Sequence, residues 1–272
     1  MNRVIYGERV QGASHIRSGV VCQDNFKKLE ISGNVSVIAV ADGHGSSSCP
    51  YSDTGSKIAV NAFCRVIGKL VEQFADDMDF LMTYLNREGD TTIAKAIDTD
   101  WKEHVWKAHR DNKREKSEDK VEVYKQYGTT LLGLLVTSKF IFALQIGDGD
   151  IVYVDAEGVQ PVIEGDKILG VETHSLCKLD AWKKAISMIR MREEIEAPHL
   201  FMISTDGFSN SYRTQDEYFV SCKDYYALIL EHGFEAVAGQ IKDWLKETSE
   251  LGSGDDITLA LAYFASPEVR AE

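Results

Sequence analysis

Residues 131–155, LLGLLVTSKFIFALQIGDGDIVYVD, contain three strand-like runs that only TSK and GDGD separate. Connections this short join antiparallel neighbours, so the pattern predicts an antiparallel meander. Further strand-like stretches, rich in β-branched and aromatic residues, lie at 35–41, 200–204 and 257–264. Helical patterns lie at about 55–74, 91–110, 179–194 and 234–248. Hairpin-linked strands with long helices before and after them favour an α+β domain in which helices cover antiparallel sheets.

The composition limits the kind of protein that this chain can be. The 272 residues include only four prolines and no Ser/Gly-rich linker, which indicates one domain over 1–272. We find no signal-peptide-like or membrane-spanning apolar stretch. A net charge of −13 argues against nucleic acid or an anionic membrane as a partner. Five cysteines without a CxxC pair suit a reducing compartment, so we expect a cytoplasmic protein.

Carboxylates stand at the ends of several predicted strands. These positions are Asp42 after VIAVA, Asp148 after FALQIG, Asp206 after LFMIST, Asp255 before ITLALAYF, and Asp24 in VCQDNF. Each Asp-Gly pair taken alone is more often a turn than a ligand. Carboxylates that converge at one sheet edge repel one another and need cations, and oxygen ligands select Mg²⁺ or Mn²⁺. Two such ions about 3.5–4 Å apart can activate a water molecule for attack on a phosphoryl group.

Six segments in a fixed order carry a family resemblance. CQDNF, VADGHG, YGTTLLGLLV, ALQIGDGDIVYV, MISTDGFSN and GSGDDITLALAYF, which lie between residues 22 and 264, resemble the motifs of type 2C metal-dependent serine/threonine protein phosphatases. The opening SH…CQDN is similar to the divergent bacterial branch of that family. The resemblance implies a four-layer α-β-β-α sandwich, with two antiparallel sheets between helical layers and the metal ions at one edge.

The resemblance also implies a set of metal ligands. By motif position, Asp42 would bridge two Mn²⁺ or Mg²⁺ ions, and the Gly43 carbonyl would complete the first site. Asp206 and Asp255 would hold the second ion. Asp24 would bind through a metal-bound water molecule.

Two more residues match functional positions of the family. Asp148 matches the position linked to a third, weaker metal ion. His44 would be the general acid that protonates the leaving seryl or threonyl oxygen, a role that suits an imidazole titrating near neutral pH. A metal-bridging hydroxide would attack phosphorus directly, without a covalent phosphoenzyme. The implied partners are phosphorylated protein substrates and an opposing serine/threonine kinase.

The sequence departs from the family pattern at the phosphate-binding position. Many relatives carry an arginine five residues before the first-motif aspartate, where this chain has Gly19. Arg17 or His15 could bind the substrate phosphate instead, although Arg17 fits an exposed surface position equally well. Gln23 stands where many relatives have an acidic residue, and Asp256 where many have asparagine.

The largest departure is the stretch from about 157 to 199, which lacks the family's usual Asp-His element. We expect it to be a flap-like insert beside the active site with an extra amphipathic helix. His174 within it is interpreted as structural or exposed. We interpret Cys22 and Cys49, near the expected site in sequence, as packing residues.

Three functions are compatible with these residues. The first is a phosphatase of phosphoserine and phosphothreonine in proteins. The second keeps the two-metal chemistry but acts on small phosphate esters. The third is a non-catalytic module that binds metal or a partner on the same fold. The presence of Asp42, His44, Asp206 and Asp255 together favours an enzyme.

Overall fold

The fold consists of two antiparallel five-stranded sheets flanked by helices. The computed structural model describes residues 3–112, 117, 119–164, 174–191 and 197–266. The α+β sandwich expected from the sequence is therefore confirmed. The single domain over 1–272 stays a prediction.

Ten strands form the two sheets within the described residues. They are β1 (Arg3–Val10), β2 (Asn25–Ser32), β3 (Val35–Ala41), β4 (Leu131–Val136), β5 (Phe140–Ile146), β6 (Asp150–Val154), β7 (Val159–Pro161), β8 (Ile186–Met191), β9 (His199–Ser204) and β10 (Ile257–Phe264). Sheet I has the order β1-β10-β9-β6-β7, and sheet II has the order β2-β3-β4-β5-β8.

Helices cover the outer faces of both sheets. They are α1 (Ala13–Ser18), α2 (Ser52–Gln73), α3 (Met78–Glu88), α4 (Ala94–Asp111), α5 (Lys120–Lys125), α6 (Asp206–Ser209), α7 (Gln215–His232) and α8 (Phe234–Leu251). Apolar residues of α2, α3 and α4 pack on sheet II, and those of α7 and α8 pack on sheet I. The predicted helices at 55–74, 91–110 and 234–248 are confirmed as α2, α4 and α8. Among the described helices, none has both the length and the apolar character needed to cross a membrane.

The core has three apolar layers, and β3 contributes to two of them. Val37 and Ala39 pack against the helices that cover sheet II. Ile38 and Val40 point the other way, into the layer between the two sheets. Because successive side chains of a strand alternate between its faces, a strand covered on both sides needs apolar residues throughout. The run VSVIAVA therefore marks a central strand that ends at the edge of the sandwich.

The predicted three-stranded meander is wrong at its second turn. β4 and β5 pair in sheet II, whereas β6 pairs with β7 and β9 in sheet I. Gly147 has a φ of +110°, a conformation that other residues rarely adopt. A Cβ on Gly149 would lie 2.5 Å from the carbonyl oxygen of Ser204, so the chain passes this strand end too closely for a side chain. The GDGD segment is thus a crossing between sheets, and it places Asp148 at the sandwich edge.

The predicted helix at 179–194 is also wrong. A 3₁₀ turn at Ala181–Lys184 leads into β8, which pairs with the outer edge of β5. Ile186 and Met188 are exposed while Ile189 and Met191 pack on the core, which is the two-residue alternation of a strand. Pairing with β5 satisfies backbone groups that an extra helix would have left open. The described part of the 157–199 insert contains no helix longer than that turn, and residues 165–173 and 192–196 lie outside the described residues.

We predict opposite effects for two Gly→Ala substitutions. A Cβ on Gly133 would lie 2.2 Å from the buried Phe63 ring, so Gly133→Ala should lower the free energy of unfolding by about 1–3 kcal/mol. Gly239 has open space around it on α8, so Gly239→Ala should raise it by about 0.5–1 kcal/mol. Urea denaturation followed by circular dichroism measures both. Equal effects of the two substitutions would contradict this packing.

Candidate active site

The polar ends of four chain segments meet at one edge of the sandwich. β3 ends at Ala41 and delivers Asp42, the GDGD crossing delivers Asp148, α6 begins at Asp206, and Asp255 precedes β10. They line a cleft of about 330 Å³, which is bordered by His15, Gln23, Asp42, Gly43, His44, Gly45, Ser46, Asp148, Asp206 and Asp255. The sequence-predicted carboxylates therefore converge, although up to 213 positions separate them.

Backbone and side-chain hydrogen bonds from Thr129 and Thr130, just before β4, fix the segment that carries Asp42 and Gly43. The Asp42 carbonyl accepts hydrogen bonds from the Thr130 amide at 2.8 Å and the Thr129 hydroxyl at 2.7 Å. The Asp42 amide donates to the Thr130 hydroxyl at 3.0 Å. A Cβ on Gly43 would lie 2.7 Å from the Ser52 carbonyl oxygen, so only glycine fits against the start of α2.

His44 is positioned by another close backbone approach. Its amide donates to the Gly128 carbonyl at 3.1 Å. A Cβ on Gly128 would lie 2.6 Å from His44 Cδ2, so the missing side chain at Gly128 makes room for the imidazole. The half-buried ring borders the cleft next to Asp42.

Asp24 lies beneath the cleft and is fully buried. Its Oδ2 accepts hydrogen bonds from Thr205 at 2.7 Å and Thr258 at 2.8 Å. Its Oδ1 is buried and accepts no hydrogen bond from an amide or a hydroxyl among the described residues, while the Asp42 carboxyl lies within hydrogen-bond reach of the Asp24 side chain. Burial raises the pKa of Asp24 to about 7, and the charge of Asp256 adds to the increase. Sequence reasoning missed the two threonines, although both stand beside site motifs in STDG and DDIT.

Crowding of like charges extends to the other carboxylates. Burial raises the pKa of Asp42 well above its ordinary value, and the charges of Asp24 and Asp206 add to the increase. Burial also raises the pKa of Asp206 to about 6, together with the charges of Asp148 and Asp255. Without a cation, these groups are costly to ionise at the same time.

This donor set fits hard divalent cations. The cleft offers carboxylate oxygens and the backbone at Gly43, and Asp24 keeps a buried oxygen that no amide or hydroxyl of the described residues satisfies. Oxygen-rich sites of this kind favour Mg²⁺ or Mn²⁺ over Zn²⁺. A bound cation would offset both the burial and the repulsion that raise the carboxylate pKa values.

Asp256 joins three segments beneath the cleft. Its Oδ1 accepts from the Gly12 amide at 2.6 Å, and its Oδ2 accepts from the Gln23 amide at 2.6 Å. His15 Nδ1 lies 2.9 Å from Asp256 Oδ1, and His15 Nε2 lies 3.8 Å from Asp255 Oδ1. An asparagine offers only one acceptor oxygen, so it could not serve both amides. The aspartate at this position thus holds the backbone beside Asp24 and Asp255.

The remaining predicted residues have different positions. Arg17 is exposed on α1 and does not border the cleft, whereas His15 does. Gly19 ends α1 with a φ of +72°, where an arginine would be strained. His174 is half-buried and is not part of the cleft lining. A phosphate-binding role of Arg17 stays a prediction.

Comparisons with known proteins identify similar chains. The family profile described as protein phosphatase 2C matches residues 11–246. A bacterial serine phosphatase is 14% identical with a TM-score of 0.64, and the match covers 98% of this chain and 100% of that chain. Serine/threonine phosphatase Stp1 from Staphylococcus aureus is 13% identical with a TM-score of 0.61, and the match covers 98% of this chain and 96% of that chain.

A third similar structure is the catalytic domain of the serine/threonine protein phosphatase PstP, in complex with two manganese ions. It is 13% identical with a TM-score of 0.56, and the match covers 97% of this chain and 99% of that chain. At these identities the solved structures establish a common fold. No curated protein sequence matches the chain significantly.

The carboxylate cluster predicts an unusual pH dependence of stability in the metal-free protein. The pKa of Asp24 is 3.8 ordinarily and about 7 in the folded chain, so the folded state binds more protons between these values. Its contribution to stability should therefore fall as pH rises through this window. In EDTA, we expect Tm to decrease more from about pH 5.5 to about pH 8 in the wild type than in Asp24→Asn.

Thermal unfolding with and without Mn²⁺ measures this effect, with Asp243→Asn on the exposed face of α8 as the control. Mn²⁺ should raise Tm more at the higher pH, since the carboxylates are then ionised. If Tm depended on pH in the same way in the wild type and in Asp24→Asn, both in EDTA, the raised pKa of Asp24 would be contradicted.

Proposed function

The chain belongs to the protein phosphatase 2C family and is a phosphoprotein phosphatase, and from that premise we propose that it hydrolyses phosphoserine and phosphothreonine with the help of two Mn²⁺ or Mg²⁺ ions. The observation that carries the proposal is the convergence of Asp42, Asp206 and Asp255 on one open polar cleft. The two manganese ions in the similar PstP domain support the choice of metal.

Each carboxylate has a proposed task. Asp42 would bridge the two ions, and the Gly43 carbonyl would complete the first site. Asp206 and Asp255 would hold the second ion, and the buried Asp24 would act through water. When bound, the ions would lower the pKa of a water molecule and offset negative charge on the phosphoryl oxygens. Asp148, whose charge contributes to the raised pKa of Asp206, would serve a third and weaker ion.

His44 is proposed as the general acid. Its backbone is held against Gly128 and its ring borders the cleft beside Asp42. A proton from this imidazole would go to the seryl or threonyl oxygen as its bond to phosphorus breaks. The side chain leaves as a neutral hydroxyl, so no free alkoxide has to form.

The substrates are proposed to be phosphorylated proteins that a serine/threonine kinase modifies. All five cysteines are free thiols in the structure, which supports a reducing compartment such as the cytoplasm. His15 at the cleft border, or Arg17 on α1, would contact the substrate phosphate.

We expect Asp206→Asn to abolish most activity. Hydrolysis of a phosphothreonine peptide should require Mn²⁺ or Mg²⁺, stop in EDTA, and fall about 100-fold or more in the variant, because metal charge stabilises the transition state by several kcal/mol. Asp216→Asn, an exposed carboxylate on α7, is the matched control. Turnover of small phosphate esters but not of phosphopeptides would indicate the small-ester alternative. No turnover by folded, metal-loaded protein would indicate a non-catalytic module.

His44→Ala separates proton donation from metal binding. The kcat for a phosphothreonine peptide should fall about 10²–10⁴-fold, the usual contribution of a general acid. The kcat for p-nitrophenyl phosphate should fall much less, because its leaving group needs no proton. Calorimetry should find the Mn²⁺ affinity unchanged. Equal losses on both substrates would contradict the role of His44 as a general acid.

A further inference from the structure

Two buried thiols meet beside His44. The position that a Cβ on Gly128 would take lies 3.0 Å from Cys49 Sγ and 3.5 Å from Cys177 Sγ. The separation of the two sulfurs therefore cannot exceed these distances combined. The same position is 2.6 Å from Cδ2 of the His44 ring. The two thiols thus share one small space with the proposed general acid.

The two cysteines come from different parts of the chain. Cys49 ends the loop that begins at His44, and its amide donates to the Ser46 carbonyl at 2.8 Å. Cys177 belongs to the 157–199 insert, 128 positions further on. Residues 45–48 are exposed, so one side of the Cys49 loop faces solvent.

Hydrogen bonds to Thr129 hold the segment that carries Cys177 in place. The Leu176 amide donates to the Thr129 carbonyl at 3.0 Å, and the Thr129 amide donates to the Ser175 hydroxyl at 3.1 Å. Thr129 also holds the Asp42 carbonyl through its hydroxyl. A link between the sulfurs would therefore attach the solvent-facing His44–Cys49 loop to the fixed base of the site.

We propose that Cys49 and Cys177 form a reversible disulfide that inactivates the enzyme. A small disulfide such as oxidised glutathione is the oxidant. The thiolate of one of the two cysteines attacks one sulfur of the oxidant and releases the first small thiol, leaving a mixed disulfide on that cysteine. The thiolate of the other cysteine then attacks the Sγ of the first and releases the second thiol. The two cysteines lose two electrons and two protons, and the oxidant is reduced to two thiols.

Both sulfurs are buried, and both lie next to exposed residues. Cys49 is 6% exposed and Cys177 is 8% exposed. Residues 45–48 beside Cys49 and residues 178–180 beside Cys177 are exposed. Either thiol can therefore react first with the oxidant, and the other thiol then resolves the mixed disulfide.

The effect on activity follows from the limited space. Bonded sulfurs lie about 2.05 Å apart with restricted torsion angles, so the Cys49 loop must shift toward Cys177. His44 begins this loop and its ring already contacts the space that the sulfurs occupy. The imidazole therefore loses its position when the bond closes. This consequence rests on the proposed role of His44, whereas the pairing of the thiols does not.

The test is oxidation of the purified full chain with oxidised glutathione, followed by peptide mapping without reduction and by a phosphopeptide assay. Cys49→Ala and Cys177→Ala remove one thiol each without adding a buried hydroxyl. Cys222→Ala, a buried cysteine on α7, is the matched control. The wild type and Cys222→Ala should form the Cys49–Cys177 link and lose about tenfold or more of their activity. Dithiothreitol should restore it.

The variants decide between the outcomes. Cys49→Ala and Cys177→Ala should form no internal link and should keep most of their activity in the oxidant, so a single-cysteine variant that loses as much activity as the wild type would overturn the switch. Oxidised protein in which Cys49 and Cys177 are recovered unlinked would overturn the pairing. A complete link without loss of activity would overturn the switch. Protein that forms the link but hydrolyses nothing when reduced would support the pairing and contradict the proposed function.

Discussion

The loss of solvation and the mutual repulsion of carboxylates crowded at one sheet edge are the constraint on which the site depends. Asp24, Asp42 and Asp206 have raised pKa values because burial and neighbouring charges penalise their ionised forms. Keeping such groups together without cations lowers the free energy of unfolding when the groups are ionised. Divalent ions remove the repulsion and supply the chemistry of phosphoryl hydrolysis at the same place. The lower stability of the metal-free chain and its catalytic function therefore both arise from the same cluster of carboxylates.

The rest of the sandwich holds this cluster in place. Strand ends supply the carboxylates, and hydrogen bonds between segments keep these ends in register. Thr129 and Thr130 hold the Asp42 backbone, while Asp256 binds the amides of Gly12 and Gln23. These contacts act on the backbone rather than on the metal-facing oxygens. The carboxylates can thus keep their positions whether or not a cation is bound.

Much of this arrangement is predictable from the sequence, and the errors have physical causes. Strand and helix patterns predict an α+β domain with helix-covered sheets and place carboxylates at strand ends, because both depend on local sequence, whereas the two-sheet sandwich is implied by the family resemblance. The partner of β6 depends on a close approach between Gly149 and Ser204, which no local pattern reveals. The apolar residues of β8 have a spacing that also fits an amphipathic helix. The segment forms a strand because it pairs with the backbone groups at the edge of β5. The hydrogen bonds of Asp256 and the meeting of Cys49 with Cys177 likewise require the folded chain.

A crystal structure of the chain with Mn²⁺, in which anomalous scattering locates the ions, tests the two-metal site. We predict two manganese peaks in the cleft, both bound by Asp42, with Asp206 and Asp255 on the second ion. His15, Asp255 and Asp256 also place ligand atoms within 4.8 Å of one another. A single peak on those three residues, with none at Asp42, would contradict a two-metal site at Asp42.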